Sequence, residues 1–150
     1  MSTHFFLASN GKCIQPPGDN FQWMRNGELI TAQSSLFTID GGRTSWSFTG
    51  RTGSYSSENN FSVTLLIPYN GEELFERTYK LGDGQGLESF HQYWLPPFPG
   101  FDVIGSDQAN NVELTVRLDP RKGTAEGNFI ADFKKRRVSI TGKFNLTLQQ

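Results

Sequence analysis

Cysteine is almost absent from this chain of 150 residues, which contains only Cys13. No disulfide can form within the chain, so a secreted disulfide scaffold is excluded. A single thiol cannot build a thiolate zinc site, and the two histidines, His4 and His91, do not have the spacing of a helical zinc motif. We therefore expect a domain without a cofactor.

Long apolar runs and a surplus of one charge are also missing. No run approaches the roughly 20 residues that a membrane helix needs. The 14 basic residues nearly balance the 15 acidic ones, whereas nucleic-acid binders carry a basic surplus that replaces phosphate counterions. The short apolar stretch from Phe5 to Ala8 follows no basic residues, unlike a signal peptide. We expect no transmembrane segment, no nucleic-acid partner, and a cytoplasmic location or export without a classical signal peptide.

Apolar and polar residues alternate strictly in three segments, residues 61–67, 112–118 and 138–148. Successive side chains of an extended chain face opposite sides, so each segment predicts a strand with one face in a core and one in water. This alternation is typical of antiparallel sheets. Trp23 and Trp46 are predicted to lie in or near the core.

Turn residues such as Asn26-Gly27 and Asn70-Gly71 separate many short strands. We predict one all-β domain over residues 1–150, an antiparallel β-sandwich of immunoglobulin-like or related topology. A closed β-barrel around a small apolar ligand is the alternative. The only helical element that the sequence allows is a short turn around Leu87 to Tyr93.

Three patches of the chain resemble one family of bacterial β-sandwich proteins. The first is an opening strand that ends in an Asn-Gly-Lys turn, Phe6 to Lys12. The second is a mid-chain segment, Tyr79 to Gly82, in which Arg77 stands in place of a glycine of the family pattern. The third is a closing meander of three strands, Val112 to Asp119, Gly123 to Phe133 and Val138 to Leu148, the last of which contains Ile140-Thr141-Gly142-Lys143-Phe144. The family is immunoglobulin-like, mostly uncharacterised and often lipid-anchored, but this chain lacks the lipidation cysteine. The resemblance implies a fold and no activity.

Aromatic residues and prolines are concentrated between residues 90 and 101. Proline cannot donate to a sheet ladder, so residues 95–101 predict a loop. Rigid aromatic side chains supply contact area with little loss of entropy. The residues predicted to bind a partner are Phe90, His91, Tyr93, Trp94, Phe98 and Phe101. The alternative is a loop that folds over an open end of the sandwich and plugs its core.

One basic run, Lys134-Lys135-Arg136-Arg137, falls between two predicted strands. At a hairpin tip these charges would keep the hairpin soluble and prevent pairing between sheet edges. The more specific interpretation is a docking patch for an acidic partner.

Two further groups of residues are candidates for chemistry. His91 lies near Glu88 and Ser89 in sequence, which suggests a base beside a nucleophile. Four loop acids could supply oxygen ligands to Ca²⁺, although they lack the spacing of a calcium loop. These acids are Asp83, Glu88, Asp102 and Asp107.

Three functions follow, in order of preference. The first is a non-catalytic recognition module that binds a protein partner through the aromatic and proline-rich loop, with an antitoxin-like, adaptor or effector role in a bacterium. The second is a carbohydrate-binding lectin or toxin-like module in which Tyr93 or Trp94 stacks on a sugar. The third is a small hydrolase that uses loop carboxylates and His91.

Overall fold

Two antiparallel sheets of six strands each form the part of the chain that the structure describes. The structure is a computed structural model that describes residues 3–4, 18–53 and 59–149, with backbone only at 3–4, 96–98 and 102. Cys13 and the predicted opening strand from Phe6 therefore lie outside the described residues.

Twelve strands are described, in chain order. They are β1 (Thr3–His4), β2 (Asn20–Arg25), β3 (Glu28–Thr31), β4 (Ser34–Ile39), β5 (Ser45–Thr52), β6 (Phe61–Pro68), β7 (Phe75–Lys80), β8 (Glu88–Phe98), β9 (Phe101–Gln108), β10 (Asn111–Asp119), β11 (Thr124–Phe133) and β12 (Val138–Thr147). A 3-10 helix, Lys134–Arg136, joins β11 to β12. Within the described ranges, no helix is long and apolar enough to span a membrane.

The first sheet has the order β1-β9-β8-β6-β5-β4, and the second has the order β3-β2-β12-β11-β10-β7. The two sheets pack face to face, so the sandwich prediction is confirmed and the closed barrel is wrong. Inward residues of both sheets form one core, as their alternation predicted. Its larger members are Phe21, Trp23, Phe37, Trp46, Phe48, Leu65, Ile67, Tyr79, Leu114, Leu118, Phe129, Phe133, Ile140, Phe144 and Leu146.

The predicted loop and helical turn are wrong, because residues 88–98 and 101–108 form the antiparallel β8–β9 hairpin. The pairing shifts register between Leu95 and Phe98, which is where Pro96 and Pro97 stand. Proline is tolerated at such irregularities because the ladder there does not require its missing N–H. The chain reverses at Pro99-Gly100, where Gly100 has a φ of +83°.

Large aromatic rings in the core leave no room for a side chain at the residue directly opposite on the neighbouring strand. A Cβ atom placed on Gly142 would lie 2.5 Å from Cζ of Phe129 and 2.6 Å from the backbone oxygen of Gln22. Gly127 meets the ring of Phe144 at 2.7 Å in the same way. These glycines therefore let the rings of Phe129 and Phe144 lie over the neighbouring strand of the same sheet.

We predict that Gly142→Ala lowers the free energy of unfolding by about 1–3 kcal/mol, because the added methyl group overpacks the core. Gly41→Ala is the matched control, since a Cβ there meets no atom within 4 Å. The control should change stability by less than about 0.5 kcal/mol. Urea unfolding of the three proteins measures both effects, and equal stability of the two variants would contradict the packing described.

Candidate functional site

A pocket of about 360 Å³ lies between the sheets, at the end of the sandwich where β11 turns into β12. We call it the end pocket. Both sheets contribute to it, so it exists only when they are packed together. Its lining residues are Arg25, Asn59, Asn60, Phe61, His91, Tyr93, Trp94, Arg136 and Val138.

The two-residue period of β8 divides the residues that were predicted to bind a partner. His91 and Tyr93 face the second sheet and are buried, whereas Phe90 and Trp94 have the opposite parity and are half-buried. Phe101 is 67% exposed at the hairpin tip, and the side chain of Phe98 lies outside the described residues. The six residues thus do not form one loop surface. Their role in binding stays a prediction.

His91 lies in a box of aromatic rings behind the end pocket. Its ring centroid is 5.4 Å from that of Phe61, 5.2 Å from Tyr93 and 4.6 Å from Phe133, with the last ring edge-on. Asp107 stands directly opposite on β9, with Oδ2 at 3.6 Å from Nε2 of His91. This separation is longer than a direct hydrogen bond.

Burial lowers the pKa of His91 from 6.5 to about 4. The carboxyl group of Asp107 raises the pKa, while the positive charges of Arg136 and Arg25 lower it further. His91 is therefore neutral at pH 7. Both of its ring nitrogens are covered and have no hydrogen-bond partner within the described chain. Because a general base must reach its substrate's proton, this geometry favours a structural role over the predicted catalytic one.

Arg136 closes the end pocket from the side of the second sheet. Its Cζ lies 3.5 Å from the centroid of the Tyr93 ring, which forms a cation–π contact between the β11–β12 turn and β8. The N–H of Lys134 donates to Oδ1 of Asn110 (2.7 Å), and Arg137 adopts a left-handed φ of +54°, so the turn is fixed in place.

Gly105 is what allows the Tyr93 ring to lie in this position. The two residues are directly opposite on β9 and β8, and a Cβ on Gly105 would lie 2.4 Å from the ring. The Tyr93 hydroxyl donates to Oδ1 of Asp107 at 3.3 Å. The ring is therefore held against the backbone of β9, with its hydroxyl directed to the buried carboxyl group.

Arg25, at the end of β2, holds a second guanidinium in the end pocket. Its Cζ lies 4.9 Å from the centroid of the Phe61 ring. Arg25 and Phe61 had not been singled out in the sequence, because nothing in the pattern shows that β2 and β6 meet here. By contrast, the structure does bring the predicted aromatic segment and the predicted basic run together, through Tyr93 and Arg136.

The other chemical candidates are not assembled into a site. The hydroxyl of Ser89 donates to the carbonyl of Thr64 (2.9 Å), and Asp83 accepts the N–H groups of Lys80 and Gln85 in the β7–β8 turn. Across residues 18–53 and 59–149, no three His, Cys, Asp or Glu side chains are grouped as metal ligands. The proposed calcium ligands Asp83, Glu88 and Asp107 are thus not brought together, and the side chain of Asp102 is outside the description.

Fold and site together define this protein as a β-sandwich with a polar, arginine-lined pocket at one end. No protein-family model, curated protein or solved structure matches the chain. The resemblance to bacterial immunoglobulin-like proteins therefore stays a prediction.

We predict that the buried His91 makes the protein less stable in acid. Because its pKa is about 4 when folded and 6.5 ordinarily, the unfolded chain binds the proton more tightly. The stability is fully present above pH 6.5 and is lost as the pH falls toward 4, by about 3 kcal/mol.

The comparison is with His91→Gln, which keeps an N–H donor toward Asp107 but does not titrate. Urea unfolding at pH 7.5 and pH 4 should show that the original protein loses about 3 kcal/mol more than the variant. Equal losses in the two proteins would show that His91 is not held in its neutral form by burial.

Proposed function

We propose that the protein is a non-catalytic recognition module that binds a protein partner with the sandwich end that carries the end pocket. The observation that carries the proposal is the placement of two guanidinium groups, those of Arg25 and Arg136, over aromatic rings at one pocket. Arginine and aromatic residues are the side chains most enriched at the energetic centres of protein interfaces.

The surroundings of the end pocket support a macromolecular partner. Lys134, Lys135 and Arg137 are exposed on the turn next to Arg136. On the outer face of the second sheet, exposed Met24 and Leu29 are paired across β2 and β3, next to Arg25. A basic rim beside apolar side chains suits a protein surface better than a small polar molecule.

The alternatives receive less support from the geometry. A sugar would need a free aromatic face, but the Tyr93 ring is covered by Arg136 and packs against Gly105. A hydrolase would need the His91 nitrogens to be within reach of a substrate, and they are covered. An adaptor, antitoxin-like or effector role would follow from the identity of the partner.

Site-specific photo-crosslinking in cells of the source organism tests the proposal. A photoreactive amino acid replaces Lys135, which is exposed on the turn beside the end pocket. The control position is Lys122, in the β10–β11 turn at the opposite end of β11. Neither substitution touches the core, so both proteins should fold.

We expect a discrete protein adduct from position 135 and none of that mass from position 122, because binding is confined to one end of the sandwich. Adducts of equal yield from both positions would indicate non-specific contact. The absence of any adduct from position 135 would likewise reject the proposed function.

A further inference from the structure

We propose that the end pocket binds a carboxylate group of the partner, from an Asp or Glu side chain or from its C-terminus. This inference rests on the proposed function and names the chemistry by which the partner would be recognised. It is argued from the hydrogen-bonding groups that the pocket presents and from their charge.

The end pocket has an excess of hydrogen-bond donors. Asn60 is only 4% exposed, and neither atom of its side-chain amide has a hydrogen-bond partner within the described chain. The indole Nε1 of Trp94 is covered and is equally unpartnered there. Buried polar groups in folded proteins are nearly always hydrogen-bonded, so the unpaired N–H groups of Asn60 and Trp94 point to a missing acceptor, and Oδ1 of Asn60 points to a donor beside it.

The two guanidinium groups add charged donors to this set. Neither Arg25 nor Arg136 forms an ion pair with a carboxylate of residues 18–53 or 59–149. The positive charges of both groups lower the pKa of His91, so both lie near that buried ring. Within residues 18–53 and 59–149, the pocket thus holds two positive charges that no carboxylate pairs directly.

Both guanidinium groups lie over aromatic rings, that of Arg136 over Tyr93 and that of Arg25 over Phe61. A guanidinium that lies over a ring keeps the N–H groups at its edge free to donate. The ring also limits its motion, so less entropy is lost when a ligand binds. An ionised carboxylate has two oxygens that only accept hydrogen bonds, and it pairs with the guanidinium fork in bidentate fashion.

Size and charge favour a carboxylate over a phosphate. A volume of about 360 Å³ is at the small end of the range for ligand pockets and suits one or two residues. The carboxyl group of Asp107 lies behind His91, at 3.6 Å from its ring. A ligand carboxylate and the Asp107 carboxylate together match the two positive charges of Arg25 and Arg136, whereas a doubly charged phosphate would leave an excess of negative charge.

Four small probes distinguish the possible ligands in NMR titrations of the full chain. Three are N-acetylated peptides: Gly-Glu-Gly and Gly-Gln-Gly, both amidated at the C-terminus, and Gly-Ala-Gly with a free C-terminal carboxylate. The fourth is inorganic phosphate. The signals followed are the Nε–H groups of Arg25 and Arg136 and the indole N–H of Trp94. We expect the glutamate or the C-terminal carboxylate to shift all three signals, and the glutamine peptide to shift none.

The matched variants are Arg25→Gln, Arg136→Gln and Arg121→Gln. The first two should weaken carboxylate binding about tenfold or more, since each removes a charged hydrogen-bond donor. Arg121→Gln should leave it unchanged, because Arg121 pairs with Glu73 in an exposed salt bridge at the opposite end. If a Gln variant does not fold, the Lys variant at that position keeps the charge, loses the fork and should bind with intermediate affinity.

Equal shifts from the glutamate and glutamine peptides, tighter binding of phosphate, or no shift with either carboxylate would overturn the inference. The crosslinking experiment distinguishes failure of the carboxylate inference from failure of the proposed function. A protein adduct at position 135, together with no NMR shift from either carboxylate peptide, would reject only the carboxylate ligand. Carboxylate binding without an adduct would reject the protein partner and leave the pocket chemistry standing.

Discussion

The contact between Arg136 and Tyr93 is the constraint on which the candidate site depends. It joins the two sheets at the end of the sandwich, with Cζ at 3.5 Å from the ring centroid. A cation–π contact of this kind is worth roughly 0.5–2 kcal/mol, depending on its exposure. Together with the hydrogen bond from the N–H of Lys134 to Asn110, the contact holds the β11–β12 turn beside β8, where Arg136 forms one wall of the end pocket.

Several features that look unrelated in the sequence serve this contact. Gly105 leaves space for the Tyr93 ring, and Asn110 fixes the turn that carries Arg136. Asp107 accepts the Tyr93 hydroxyl and faces His91, so the polar pair lies between the aromatic core and the pocket. Buried polar groups of this kind stabilise a fold weakly but constrain which packing it adopts.

Much of the fold could be predicted from the alternation of side chains. The predicted strands at residues 112–118 and 138–148 are β10 and β12 of the second sheet, one on each side of β11, and Trp23 and Trp46 are core residues, as expected. The error in residues 95–101 came from treating each proline there as a sign of a loop. Pro96 and Pro97 are instead accommodated where the strand pairing shifts register.

The candidate site was predictable only in part. The aromatic segment and the basic run are local signals, and both contribute to the end pocket through Tyr93 and Arg136. Arg25 and Asn60 carry no such signal, because their importance arises from the approach of distant strands. The turn at Pro99-Gly100 alone would not have placed Asp107 opposite His91, because the shift in strand pairing between Leu95 and Phe98 moves the register by one residue.

NMR of the Arg136 side chain tests the central claim most directly, because a proton close above an aromatic ring is shifted upfield by the ring current. We expect the Nε–H and neighbouring methylene protons of Arg136 to be shifted upfield of their values in an unfolded chain. The shift should persist in Tyr93→Phe and disappear in Tyr93→Leu. Unfolded-chain values in the original protein, or an unchanged shift in Tyr93→Leu, would contradict the contact that joins the two sheets.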